Sequence, residues 1–79
     1  MAGETKNIVG KRVKEARLKQ KPPLTQDDLS GRLSAVGVAI DRAGISKIEI
    51  GMRYVLDFEV KGLAKVLGVS VDWLLGLKD

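Results

Sequence analysis

Apolar residues along this chain recur at helical spacing in five short runs, each bounded by polar residues, glycine or proline. In the first run Val9, Val13 and Ala16 stand at i, i+4 and i+7, while Lys11, Lys14 and Lys19 fall on the other face. That pattern predicts an amphipathic helix over Ile8–Gln20, capped by Asn7 or Thr5. Lys21-Pro22-Pro23 ends it, because proline lacks an N–H and pushes its predecessor out of the α region. Leu29, Leu33 and Val36 form the second stripe. Thr25 is its predicted N-cap, Asp28 holds the reciprocal capping-box position and Gly37 the C′ position. Ile45 and Ile48 mark the third helix, capped by Asp41 and stopped by Gly51. Met52–Leu56 reads as an extended or irregular connection. Val60, Leu63, Ala64 and Leu67 define a fourth helix, Phe58–Leu67, with Asp57 as cap and Gly68 as terminator. Ser70 caps a last short helix, Val71–Leu75, which Gly76 closes. No stretch alternates with the period of two that a strand needs, and no segment repeats. The prediction is an all-α chain, a compact bundle of five short helices around one core.

The third run has two unlike faces. Ile45 and Ile48 are spaced to face a core, and Ala43, Ser46, Lys47 and Ile50 lie opposite. Arg42 stands at the helix start and Arg53 just past its end. Small and basic residues on an outward face suit insertion into a DNA groove. The charge distribution points the same way. Residues 1–53 carry eleven Lys/Arg against six Asp/Glu, whereas residues 54–79 carry three against four. A basic surface favours polyanions by displacing their condensed counterions.

Other features narrow the function by exclusion. Seventy-nine residues make one small domain with a modest core. There is no cysteine for a disulfide or thiolate metal site, and no histidine, the commonest metal ligand and general base. Neither an enzyme nor a cofactor or metal is therefore expected. The adjacent carboxylates Asp27 and Asp28 are accounted for by the helix dipole, which favours negative charge in a first turn. No apolar run is long enough to span a bilayer. The first residues, MAGETKN, hold no signal-peptide core, so a cytoplasmic protein is expected. Residues 1–6 are expected to form a flexible arm and residues 7–77 the helical domain.

Four local patterns, in order, carry a family resemblance. Gly10-Lys11-Arg12-Val13-Lys14-Glu15-Ala16-Arg17 looks like a first helix, and Leu24-Thr25-Gln26-Asp27-Asp28-Leu29 like the start of a second. Ile45-Ser46-Lys47-Ile48-Glu49, followed by Gly51 and Arg53, is similar to a recognition helix with its exit loop. Leu63–Leu75 looks like the closing helices. Together they resemble the phage-repressor-type helix-turn-helix family, the Xre/Cro-like DNA-binding domains with a lambda-repressor-like fold. Two departures stand out. The segment between Leu33 and Ile45 is several residues longer than the family pattern, so helix two runs on or the turn is wider. Ile50 replaces the polar residue, often Asn, that commonly precedes the glycine.

The resemblance implies roles for particular residues. Gln26 would clasp a DNA phosphate beside its helix N-terminus. Arg42 would occupy a base-reading position, where arginine can hold guanine O6 and N7 together. Ala43 could touch a thymine methyl, Ser46 a base edge or phosphate, and Lys47 a phosphate or guanine. Arg53 fits the phosphate-binding exit loop. Arg17 and Glu49 would form a partly buried structural bridge from helix one to helix three. Gly44 inside a helix costs about 1 kcal/mol relative to alanine; close approach of a neighbour or a loosely wound helix start would explain it. Trp73 either covers the core or, with Leu74, Leu75 and Leu77, makes a dimer contact.

The implied function is sequence-specific binding of double-stranded DNA by a transcriptional regulator, a repressor before an activator. A homodimer on a palindromic operator is the expected assembly, formed through the helical domain itself. Polymerase or a toxin are further conceivable partners. The alternatives are an antitoxin or restriction-modification controller with the same domain, and a helical protein-interaction module without DNA binding.

Overall fold

A computed structural model describes residues 4–79. It contains five helices and, among the described residues, no strand: α1 Gly10–Lys19, α2 Gln26–Ala35, α3 Arg42–Glu49, α4 Asp57–Leu67 and α5 Val71–Leu74. Its Cα radius of gyration is 11.6 Å, close to the roughly 11–12 Å of a compact chain this long.

One core takes residues from every helix. Val9, Val13 and Ala16 meet Leu29 and Leu33 of α2, Ile45 and Ile48 of α3, Leu63, Ala64 and Leu67 of α4, and Leu74 of α5. The helices are short, so none is stable alone; burial of these stripes holds them. Close backbone approach helps at two crossings. A Cβ on Gly10 would strike the carbonyl oxygen of Ile48 and lie 3.1 Å from that of Glu49, so α1 lies directly on the end of α3. A Cβ on Gly62 would lie 2.7 Å from Val38 Cγ2, so α4 packs closely on a side chain of the α2–α3 connection.

Local signals place most helix ends. Thr25 and Asp28 form a complete capping box: Asp28 N–H donates to Thr25 Oγ1 at 3.0 Å, and Thr25 N–H to Asp28 Oδ2 at 3.0 Å. Asp41 and Ser70 cap α3 and α5 by accepting from the backbone N–H of Gly44 and Trp73. Gly37, Gly51, Gly68 and Gly76 all have positive φ, the left-handed turn that favours glycine after a helix.

Several expected boundaries shift. α1 starts at Gly10 rather than Ile8, which is 70% exposed. Asn7 Oδ1 accepts from Val9 N–H at 3.1 Å and Gly10 N–H at 2.8 Å, so Asn7 satisfies the free N–H groups at this start, as its position in the sequence predicts. α4 begins at Asp57, so Asp57 is inside the helix and Leu56 is the cap residue. Glu59, three residues on, accepts the Leu56 N–H at 3.0 Å, which sets this start. α2 stops at Ala35, leaving Val36 outside the helix and exposed instead of in the second stripe.

The longer segment before Ile45 becomes a wider turn, not a longer helix. Residues 36–41 connect α2 to α3, and Val38 and Ile40 point into the core in place of Val36. The turn is tied down by Val38 N–H to Leu33 O at 2.9 Å and by Ser30 Oγ to Ile40 O at 2.7 Å. Of the arm expected over residues 1–6, residues 1–3 lie outside the described residues. Lys6 is anchored, its N–H donating to Gly51 O at 2.8 Å. No helix among the described residues is long and apolar enough to cross a membrane.

Candidate nucleic-acid interface

α3 is fixed at both ends and along one side, which determines what its other side presents. At its start, Gly44 N–H donates to Asp41 Oδ1 at 2.7 Å. A Cβ on Gly44 would lie 2.9 Å from Ile40 Cγ2 and 3.1 Å from Asp41 Oδ1. The turn therefore packs against the first helical turn, and this close approach accounts for a glycine there. Ile45 and Ile48 are fully buried along the inner side.

At the end of α3, Glu49 joins the first three helices. Arg17 of α1 donates Nε to Glu49 Oε2 at 2.7 Å and Nη2 to Oε1 at 3.0 Å. Its Nη1 donates to Leu24 O at 2.8 Å, and Gln26, the first residue of α2, donates Nε2 to Glu49 Oε1 at 3.1 Å. The Arg17 and Glu49 side chains are 9% and 3% exposed. A buried carboxylate with this many donors is compensated; with one removed it would not be. Gln26 thereby has its amide oriented by α3.

The exit from α3 is held by a second network. Asn7 Nδ2 donates to Ile48 O at 3.1 Å and to Arg53 O at 2.8 Å. Arg53 grips Glu59 of α4 with two bonds, Nη1–Oε1 at 2.9 Å and Nη2–Oε2 at 3.1 Å, and its Nη1 also donates to Tyr54 O at 2.9 Å. The bonds from Arg53 hold the Glu59 carboxyl below its usual range, and the same bonds raise Arg53 above its own. The Arg53 side chain is 30% exposed and that of Glu59 5%.

Arg42, Ala43 and Lys47 are exposed and Ser46 is half-buried on the remaining side of α3, with Ile50 70% exposed just beyond. Arg42 and Ser46 are four apart, as are Ala43 and Lys47, so the four form two rows along one face. Neither Arg42 nor Lys47 enters an ion pair among the described residues. Gln26 stands beside the opposite end of this helix, next to Glu49. Arg53 turns back toward α4, with only part of its guanidinium facing out.

The C-terminal residues divide. Leu74 is fully buried in the core, which corrects its assignment to a dimer contact: α5 turns it inward against α1 and α4. Trp73 is half-buried, with the Arg12 guanidinium 4.7 Å from its ring centre. Arg12 Nη1 also donates to Trp73 O at 2.8 Å and Lys78 O at 2.6 Å. Leu77 is 74% exposed.

Sequence reasoning missed Glu59 and the second function of Asn7. Glu59 carried only a weak signal: it stands three residues after Leu56, but leucine lacks the side-chain oxygen that makes a capping box recognisable. The bridge from Asn7 to residues 48 and 53 had none, because it spans more than forty positions. Among the described residues no group of three or more acidic, histidine or cysteine side chains could hold a metal ion. No family model, no curated protein and no solved structure matches the chain.

Proposed function

We propose that this chain is a phage-repressor-type helix-turn-helix domain that binds duplex DNA and regulates transcription, as a repressor first. The observation that carries the reading is the division of α3: Ile45 and Ile48 are wholly buried while Arg42, Ala43 and Lys47 are exposed on the other side. A helix anchored this firmly, with a small and basic outer face, suits the major groove. Arg42 would hold a guanine edge, Ala43 meet a thymine methyl, and Ser46 and Lys47 contact base edges or phosphates. The Gln26 amide and the exposed part of Arg53 would meet the backbone on either side.

The reading face is poor in hydrogen-bonding groups, with Ala43 and Ile50 among its residues. Specificity would then rest on few bases, on DNA shape, and on pairing two weak half-sites. Two copies on a palindromic operator, about one helical turn apart, is the matching assembly, and blocking polymerase in a cytoplasmic setting is the simplest output. Leu77 and the half-buried Trp73 remain from the expected dimer face. Antitoxins and restriction-modification controllers share this domain, and co-purification with a toxin would separate the antitoxin case.

A second reading, a helical protein-interaction module, is favoured by the exposure of Ile50, Met52, Leu56 and Phe58 beyond α3. Titrating random duplex DNA at rising salt separates the two. DNA binding predicts an affinity at low salt that falls steeply as salt rises; no affinity at low salt selects the interaction module. Selecting bound duplexes from a random pool would then give operator sequence, palindromy and half-site spacing.

A further inference from the structure

We infer that Lys6, aligned by Tyr54, forms with Lys47 a phosphate-binding edge that extends the DNA footprint from α3 onto the N-terminal arm. The inference rests on the DNA-binding reading and adds a contact that the reading does not contain. Three observations carry it. First, the arm is held in place: Lys6 N–H donates to Gly51 O at 2.8 Å, and Gly51 takes a positive φ with Thr5 packed where a Cβ would be. Lys6 is thereby tied to the residue that terminates α3. Second, its ammonium lies 5.6 Å from the centre of the Tyr54 ring. Tyr54 is 69% exposed, so the ring buries little and acts as a platform that restricts a long side chain.

Third, an open groove runs between the arm and the first half of α3, lined by Lys6, Tyr54, Arg53, Asp41, Ala43 and Lys47. Its one acidic lining residue, Asp41, accepts from Gly44 N–H and enters no ion pair among the described residues. Among the described residues this leaves the ammonium groups of Lys6 and Lys47 without an acidic partner, on two sides of one groove. Exposed lysines spread along an open channel do not cage a small anion. They suit a chain of phosphodiesters, which they bind by releasing counterions. Because Ala43 and Lys47 belong both to this groove and to the outer face of α3, a strand followed by Lys6 would flank the bases that α3 meets.

The test is fluorescence anisotropy with the full chain on random and on selected duplexes, across a salt series. Lys6→Ala should weaken binding about three- to tenfold on every sequence alike, and lower the slope of log affinity against log salt by about one. Tyr54→Ala should weaken binding in the same direction, and adding it to Lys6→Ala should cost nothing more, because the ring acts through the lysine. Tyr54→Phe, which keeps the ring, should bind as the unaltered protein does. Lys65→Ala, at the far end of α4, is the control and should leave the slope unchanged. If the unaltered protein binds DNA while Lys6→Ala keeps both affinity and slope, the inference falls and the DNA-binding reading stands. If the unaltered protein has no affinity at low salt, the reading itself falls and takes the inference with it.

Discussion

Two residues on α3 are expected to fail in opposite ways when truncated. Arg42 is exposed and has no carboxylate partner among the described residues, so Arg42→Ala should leave the melting temperature within about 4 °C, since surface changes of this kind stay within roughly 0.5 kcal/mol. Binding to a selected operator should drop about five- to 150-fold, as roughly 1–3 kcal/mol of base discrimination is lost. Calorimetry and anisotropy together check this; a collapse in stability would make Arg42 structural. Glu49 is the reverse case. Its 3% exposed carboxylate accepts from Arg17 and Gln26. Glu49→Ala strands the buried Arg17 guanidinium at a cost of roughly 3–5 kcal/mol. For a domain this small that is at least about 12 °C in melting temperature, and thermal unfolding should show it before any base preference changes. Both residues were visible in the sequence, but Glu49 needed the fold to show that Gln26 shares its carboxylate.

Two helical glycines differ in whether the fold needs them, and substitution separates them. Gly10 opens α1 where a Cβ would meet the Ile48 carbonyl. Backbone cannot swing aside as a side chain can, so Gly10→Ala should destabilise. An overpacking cost of about 1–3 kcal/mol outweighs a propensity gain of at most about 1 kcal/mol. Gly31 lies mid-α2, exposed, with nothing within 4 Å of the place a Cβ would take. Gly31→Ala should therefore stabilise, by up to about 1 kcal/mol. Urea unfolding of the two variants reads the difference directly. Glycine content alone did not distinguish these positions. The helix boundaries show the same division. Thr25, Asp41 and Ser70 are caps that a local pattern could place, because the capping oxygen and the N–H it satisfies are three residues apart. Asn7 caps α1 at the same three-residue spacing through Gly10 N–H, but its second task, serving residues 48 and 53, has no local pattern.

Across the molecule, two ion pairs fasten α3 and its exit: Arg17–Glu49 joins α1 to α3, and Arg53–Glu59 joins the loop after α3 to α4. The second gives the fold an acid sensitivity. Hydrogen bonds from Arg53 hold Glu59 below its ordinary range in the folded state. A depressed carboxyl contributes stability above its unfolded value and loses it as pH falls through the folded one. Melting temperature should therefore be flat near neutral pH and decline below about pH 4.3, the ordinary glutamate value. Glu59→Gln should melt lower at pH 7 and lose less on acidification. Melting curves from pH 7 to 3 test it, and parallel declines in the two proteins would remove Glu59 as the cause. The same pair limits how much of Arg53 could serve a phosphate, so on the proposed DNA-binding reading more of the backbone contact would fall to Gln26, Lys47 and Lys6.

The sequence by itself determined the number of helices, their order, most of their ends and, Val36 apart, their inward residues. Those features are written in short-range periodicity and capping, where cause and effect lie within a few residues. It also marked the outer residues of α3, because burial of Ile45 and Ile48 leaves Arg42, Ala43 and Lys47 no other side to take. Tertiary structure decided what depends on distant partners. It chose a wide turn filled by Val38 and Ile40 over a longer α2, and it buried Leu74, which sequence had left open to a dimer. It turned Arg53 back onto Glu59 and fastened the arm at Lys6 to Gly51. In each case a side chain or backbone group had more than one locally acceptable place, and the one adopted was fixed by a group on another element of the fold.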